Sequence, residues 1–365
     1  MHSIIRTIVL IAVSVAMLTP SARGQASASA DAEFDAPFVR LCDLACERIN
    51  NPERQTPKPV PFYIDSYAVR ALCVAYDMTQ TERYLATCKQ WADRMIEYQA
   101  QMTPKGGYYM NYGRKPGDKE GNWYVADNSS IAMGILATAI RCDGADRAKY
   151  LASVQLFADL VAKHYIGEAR GVMNAFWYKY PGEWWCSSGL FGSLAFLLAA
   201  ETKNASFEDI AEGTIHWLNH LDLTRVKFKF WEDGAPSVVM YVLEAYSAGM
   251  AHIDEGTELH EDAVKKIRWT LDWMPKNQAS RAGAGVWDYS TQWGSKLGGL
   301  PFHMYVLSHH VPDGQALRDA ADQELRHIGR LLAQDDSGRL SQLAAFAMMS
   351  YAERLKPGAI YRTSR

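Results

Sequence analysis

The chain has 365 residues, 48% hydrophobic and 22% charged, with 26 glycines and 14 prolines. That is enough apolar material for one large core or two modest ones, and it excludes a disordered, collagen-like or coiled-coil chain. The 38 basic and 41 acidic residues leave a formal charge of -3, without the positive excess of a general nucleic-acid binder, so no nucleic-acid partner is expected.

The chain opens with a short basic start (His2, Arg6), an apolar stretch from Ile8 to Leu18, then Pro20 and Ala22-Arg23-Gly24. This is the pattern of a cleavable signal peptide over residues 1–24, which predicts a secreted or periplasmic protein. The apolar stretch is short for a bilayer span and no later segment is long and uncharged enough to be one, so no membrane insertion is expected after cleavage. Losing residues 1–24 removes two arginines and takes the charge to -5. Residues 25–33 are expected to be disordered, and 34–365 to form a single domain.

From Phe34 to Leu355 apolar residues recur with a period near 3.6, which predicts helices over 34–50, 62–78, 81–101, 127–142, 145–165, 185–202, 205–220, 236–251, 257–274, 298–310, 313–334 and 338–355. No run alternates in the manner of a strand. The expected fold is all-α, about twelve helices in six pairs. Short polar turns, such as Thr79-Gln80, Asp143-Gly144 and Lys203-Asn204, alternate with long segments at 51–61, 102–126, 166–184, 221–235 and 275–297. In antiparallel hairpins this alternation puts every long segment at one end, where a binding face is built.

Helix character alternates too. Residues 81–101 and 258–274 are amphipathic with one charged face, whereas 129–139, 189–200 and 340–351 are apolar or small nearly all round. Six outer and six inner helices close into an (α/α)6 toroid; a superhelix that stays open is the alternative.

The six cysteines lack a framework spacing and fit buried free thiols or one or more long-range disulfides. No CxxC occurs, and His216 and His220 lack both an intervening glutamate and a third ligand, so neither metal nor cofactor is expected.

Candidate chemistry gathers in the long segments. Trp123, Trp177, Trp184, Trp185, Trp231, Trp287 and Trp293 lie in or beside them, joined by Tyr109, Tyr112 and Tyr124. Aromatic faces stack on the C–H faces of sugar rings, so an aromatic-lined end points to a carbohydrate, or else to loops packed on the barrel. Arg114, Lys115, Lys119, Lys179, Arg225, Lys227 and Lys229 share these segments and favour an acidic sugar.

Carboxylates at the predicted inner-helix starts are candidates for proton transfer: Asp65, Asp127, Glu232, Asp233 and Asp288. An aspartate just before a helix ordinarily caps it. Asp127, however, follows Trp123 and Tyr124, and burial beside aromatic rings raises a carboxyl toward the range of a general acid. A different reaction, β-elimination from a polyuronate, would draw on Tyr109, Asn111, Tyr112, Arg114 and His303.

The strings YIDSYAVRALCVAY, ADNSSIAMGILATA, WWCSSGLFGSLAFLLA and DGAPSVVMYVLEAY follow one another along the chain. In that order they resemble the six-hairpin glycosidases, and in particular the unsaturated glucuronyl and rhamnogalacturonyl hydrolases. The resemblance covers most of residues 34–355 and implies an (α/α)6 toroid that degrades acidic oligosaccharides. It implies that Asp127 donates a proton to the vinyl-ether double bond of a terminal unsaturated uronate, with Asp65 orienting substrate or water. Hydration, not displacement, would then start the reaction. The group's Trp-Ala-Arg-Gly-like string is absent: the matching stretch reads Trp185-Cys186-Ser187-Ser188-Gly189. Similar toroids also serve as polysaccharide lyases, and a glycan-binding barrel without chemistry is the third reading.

Overall fold

The computed structural model describes residues 23–51, 62–108, 124–176, 182–223, 235–276, 288–290 and 294–363. Among them twelve α-helices succeed one another: α1 (Arg23–Asn50), α2 (Phe62–Thr79), α3 (Glu82–Gln99), α4 (Val125–Ala139), α5 (Gly144–His164), α6 (Trp185–Thr202), α7 (Ala205–His220), α8 (Ala235–Gly249), α9 (Glu258–Lys276), α10 (Leu300–Leu307), α11 (Gly314–Gln334) and α12 (Gln342–Leu355). A 3-10 turn, Gly294–Gly299, leads directly into α10.

The even-numbered helices form the inner ring. α2 packs on α4, α4 on α6, α6 on α8, α8 on α10, α10 on α12, and α12 returns to α2. The ring is therefore closed, and the fold is the (α/α)6 toroid. Each odd-numbered helix lies outside, against the inner helix that precedes it around the ring.

Sequence character explains the two layers. Every residue of α6 from Trp185 to Leu198 is buried, as is α4 from Val125 to Ala139 apart from Asp127. A helix apolar all round is stable only when covered on all sides, and each large apolar side chain so covered contributes about 1.5–3 kcal/mol. Small residues let the inner helices approach one another. A Cβ on Gly189 would stand 2.0 Å from the Tyr241 carbonyl oxygen of α8, so α6 and α8 meet backbone to backbone there. A Cβ on Gly134 of α4 would press on the Trp91 ring at 3.0 Å. The outer helices turn charged faces outward, and exposed pairs such as Arg83–Asp43 and Lys149–Asp93 join α3 to α1 and α5 to α3; each contributes at most about 1 kcal/mol.

The short turns end helices by chain reversal. Gln80, Gly144 and Lys203 adopt positive φ between them, and Asn204 then caps α7 by accepting from Ser206 N at 3.0 Å. Because these turns join each inner helix to the outer helix that follows, all the long connections fall at the N-terminal ends of the inner helices.

The middle of the ring is closed by a polar network. Arg70 of α2 donates to Glu244 of α8 at 2.8 Å, Tyr361 Oη donates to the same carboxylate at 2.8 Å, and Glu244 also faces His303 Nε2 at 3.5 Å. The C-terminal segment thus reaches into the toroid, with the Arg70 guanidinium 5.4 Å from the Tyr361 ring centroid.

Some boundaries differ from the sequence expectation, α12 for instance beginning at Gln342 and not at 338. Residues 25–33, expected to be disordered, continue α1 back to Arg23; alternating alanines and few helix breakers give that stretch the propensity to extend a helix already fixed downstream. α4 begins at Val125, ahead of Asp127, which moves that aspartate inside the first turn. The helix expected over 298–310 is a 3-10 turn followed by two turns of α10, because Gly298-Gly299 interrupts the helix and Pro301 restarts it near its N-terminus. Of the expected signal peptide, residues 1–24, residues 1–22 lie outside the described residues. All six cysteines are buried free thiols, Cys73 and Cys88 lying 3.7 Å apart between α2 and α3.

Candidate active site

The N-termini of the inner helices converge on one end of the ring, and residues in or near them supply the site. Tyr63 comes from α2, Asp127 from α4, Cys186 from α6, Tyr241 from α8 and Lys296 from the 3-10 turn before α10. The other four each lie within electrostatic reach of Asp127, so one locus draws on five consecutive hairpins.

Local hydrogen bonds hold the helix starts in place. The loop between α5 and α6 doubles back through isolated bridges Ile166–Val172 and Met173–Glu183. Its Asn174 carbonyl accepts from Val125 N at 3.0 Å and from Ser187 Oγ at 3.3 Å, while Val172 N donates to Ser188 Oγ at 2.8 Å. One loop therefore pins the starts of α4 and α6 together. Ser66 and Ser130 share a 2.6 Å hydrogen bond that joins α2 to α4 just inside the ring.

Asp127 is the third residue of α4. The N-cap position belongs to Tyr124, so Asp127 stands inside the first turn and not at the cap position. It is half-buried. Burial pushes its pKa up to about 7, against the opposing pull of the Lys296 ammonium. A carboxyl in that range is available both as proton donor and, once ionised, as acceptor near neutrality.

Asn128, next to it, has a different task. Its Oδ1 accepts from Tyr108 N at 2.5 Å and its Nδ2 donates to the Tyr124 carbonyl at 3.0 Å. The amide thus fixes where the preceding segment meets α4, and Tyr108 is anchored at its far side through a 2.9 Å bond between its hydroxyl and Ser153 Oγ.

Lys296 is buried, its Nζ 5.6 Å from the Tyr63 ring centroid. Burial raises the Tyr63 phenol, which therefore stays protonated. Burial likewise keeps Cys186 a neutral thiol. Trp184 and Trp185 stack at the start of α6 with ring centroids 3.9 Å apart and planes 25° apart, Trp184 half-buried and Trp185 buried.

The other sequence candidates separate. Asp65, expected to work with Asp127, lies in a fully buried ion pair with Arg48 of α1, Nε to Oδ1 2.8 Å. Two residues beyond Tyr63 on a 100° per residue helix, it is turned to the outer helix rather than toward Asp127. Asp288 closes a local turn, accepting from Ser290 N and Oγ at 2.9 and 2.6 Å. His303, the described member of the β-elimination set, is buried with Nδ1 at 2.9 Å from Ser247 Oγ and Nε2 facing Glu244. Burial lowers its pKa to about 4, and both ring nitrogens are engaged inside the core. Tyr109, Asn111, Tyr112, Arg114, Trp123, Trp177, Lys179, Trp231, Asp233, Trp287 and Trp293 lie outside the described residues.

The sequence patterns do not single out Tyr63, Tyr241 or Lys296. Tyr63 and Tyr241 read as apolar positions of inner helices, and Lys296 as a polar residue in a glycine-rich turn. The one available signal is positional: each stands in or near the first turn of an inner helix, or in the turn that leads to one. Among the described residues no group of three ligating side chains is placed to hold a metal ion.

No protein-family model matches the chain, and no curated protein matches it in sequence. Solved structures do match in fold. The GH76 alpha-1,6-mannanase from Salegentibacter sp. HEL1_6 superposes with a TM-score of 0.62 at 16% identity, over 87% of this chain and 100% of that one. An unsaturated glucuronyl hydrolase specific for heparin gives 0.59 at 11% identity, over 88% and 97%. The unsaturated glucuronyl hydrolase from Bacillus sp. GL1 gives 0.60 at 10% identity, over 90% and 98%. The chain thus has the toroid fold of the six-hairpin glycosidases.

Proposed function

We propose that the chain is an exported glycoside hydrolase acting on acidic, uronic-acid-containing glycans, which releases a terminal unsaturated uronyl residue from oligosaccharides. The observation that carries this reading is Asp127: a carboxyl in the first turn of an inner helix, with a pKa pushed up to about 7 by burial. It stands where the inner helices converge, and a shared fold with unsaturated glucuronyl hydrolases supports the assignment.

Ordinary glycoside hydrolysis uses two carboxyl groups on opposite sides of the bond. An inactive variant of the mannanase carries replacements at two adjacent aspartates. Here the neighbour of Asp127 is an asparagine whose amide is committed to Tyr108 and Tyr124, and Asp65 is committed to Arg48. Among the described residues, a chemistry that needs one acid suits this arrangement better. Asp127 gives its proton to the carbon end of the ring vinyl ether, water adds at the other carbon, and the water's surplus proton returns to Asp127. The adduct then opens and expels the remaining saccharide as an alcohol. One carboxyl with a pKa near the working pH serves both transfers.

The test is the absorbance of the unsaturated uronyl group. Oligosaccharides produced by a polysaccharide lyase should lose that absorbance on incubation with the protein. Appearance of the chromophore from an intact polyuronate would establish a lyase instead, cleavage of alpha-1,6-mannan a neutral-glycan hydrolase, and binding without turnover a non-catalytic barrel.

A further inference from the structure

Cys73 of α2 and Cys88 of α3 face each other across the first hairpin. They stand symmetrically about its turn, Cys73 seven residues before Gln80 and Cys88 seven after Thr81. Antiparallel helices of equal rise bring such positions level with one another. The two Sγ atoms lie 3.7 Å apart and both residues are fully buried. Cys88 Sγ also lies 3.6 Å from the Val69 carbonyl, one turn back along α2, and Cys73 Sγ lies 3.9 Å from Thr138 Oγ1 of α4. Arg141 donates from Nε to the Cys73 carbonyl at 3.0 Å and pairs with Asp77 at 2.6 Å, which brings a buried cation beside that turn of α2. Burial acts to raise the Cys73 thiol, but its hydrogen bond with Cys88 and the Arg141 guanidinium hold it below its ordinary range; burial pushes the Cys88 thiol up. Two sulfurs in contact, one of them beside a cation, are the arrangement of a nucleophile with its resolving partner.

We propose that Cys73 and Cys88 form a modification site, oxidised to a disulfide by exchange with an external disulfide. The Cys73 thiolate attacks one sulfur of the external disulfide, forming a mixed disulfide and expelling the other sulfur as a thiolate. Cys88, losing its proton, then attacks Cys73 Sγ and expels the second thiolate. The two protein thiols are oxidised, the external disulfide is reduced to two thiols, and the protons lost by the two cysteines end on those thiols. The sulfurs have to close from 3.7 Å to about 2 Å, a displacement within reach of side-chain rotation. Both are covered in the closed ring, so the exchange takes place during folding, while the hairpin is still open to solvent. A short turn joins α2 to α3, and the two helices can meet without the rest of the ring. The link holds α2, which carries Tyr63 into the site, in register with its outer helix. It does not depend on the reaction the protein catalyses, and an exported chain, as proposed above, would meet such oxidants.

In the experiment the full chain is unfolded with reductant and refolded with or without a mixture of oxidised and reduced glutathione. Free thiols are then alkylated and the protein is digested with trypsin. Cleavage after Arg70, Arg83 and Lys89 places Cys73 in peptide 71–83 and Cys88 in peptide 84–89. The expected product of refolding with glutathione is a protein lighter by two hydrogen atoms, with four of the six thiols alkylated and with these two peptides joined until reduced. It should melt at a higher temperature than protein refolded without oxidant, a gain that Cys73→Ala and Cys88→Ala should both lack. Six free thiols in the oxidant-treated protein, a lasting glutathione adduct on Cys73, or a link from peptide 84–89 to 41–48, which holds Cys42 and Cys46, would each overturn the proposal. The peptide masses are read in wild type, so an alanine variant that fails to fold leaves the decision intact. Should the chain not recover from denaturant, protein purified without reductant and held in the same glutathione mixture is mapped in the same way. No turnover enters this test, so failure of the hydrolase reading and failure of the disulfide are seen separately.

Discussion

Arg48 Nε stands 2.8 Å from Asp65 Oδ1 with both side chains buried, and this contact divides the two first-turn aspartates by task. Asp65 is bound to the outer helix and holds hairpins together; Asp127 faces the convergent helix starts. The guanidinium also donates to the Leu340 carbonyl at 2.8 Å, so one arginine ties α1 to α2 and to the segment before α12.

Removing one partner of this pair should leave the other charge buried and unpaired. Asp65→Asn and Arg48→Met should each lower the unfolding free energy by about 3–5 kcal/mol, whereas the double replacement should lose less than the sum. Urea titrations of the two single variants and the double variant check this. Asp65→Asn that remains folded should keep its turnover within a few-fold.

Asp127→Asn should behave in the opposite way, folding normally while turnover falls by at least about 100-fold. Its effect on stability has a definite sign. The folded pKa, about 7, lies above the ordinary 3.8, so the aspartate's favourable contribution is complete below pH 3.8 and is lost as pH rises through about 7. The asparagine variant should therefore match wild type near pH 4 and exceed it in melting temperature at pH 8.

Glu353 offers the same test away from the site. Burial pushes its pKa from 4.5 up to about 7, and Gly358 N donates to its carboxyl at 2.7 Å. Glu353→Gln can keep that hydrogen bond and should be more stable than wild type at pH 8, by up to about 3 kcal/mol at 1.36 kcal/mol per unit, with the difference vanishing near pH 4. Thermal melts across that range measure it.

His303 should shape the acid limb. Its folded pKa, about 4, lies below the ordinary 6.5, so the unfolded chain takes up its proton first. Stability is complete above pH 6.5 and falls as pH drops toward 4. His303→Gln should flatten the pH dependence of the unfolding free energy over that window, and Glu244, whose carboxyl Arg70 helps to hold below its ordinary range, should account for further loss at lower pH.

Much of this architecture is legible in the sequence because it is written in local patterns. The run from Trp185 to Leu198 has no polar face to leave outside, so it can only be an inner helix, and the short turn at Lys203-Asn204 says that its partner folds back at once. Asp127 is legible for a similar reason: it stands in the first turn of an apolar helix, three residues after Tyr124. Arg48 and Asp65 are 17 residues apart across a helix break, and no spacing rule announces such a pair. Lys296 is harder still. Within GSKLGG it reads as a solvated loop residue, and its burial arises only when the fifth hairpin closes against the first. The local chemistry of α4 could be read directly; the meeting of five hairpins at one acid required the closed ring.

The most direct measurement is the rate at which the protein removes the absorbance of a lyase-produced unsaturated uronyl oligosaccharide, recorded for wild type and Asp127→Asn side by side at pH 6 to 7. The account predicts rapid loss with wild type and at least about 100-fold slower loss with the variant, the two proteins having the same fold by circular dichroism. Equal rates, or an absorbance that wild type leaves unchanged, would contradict it.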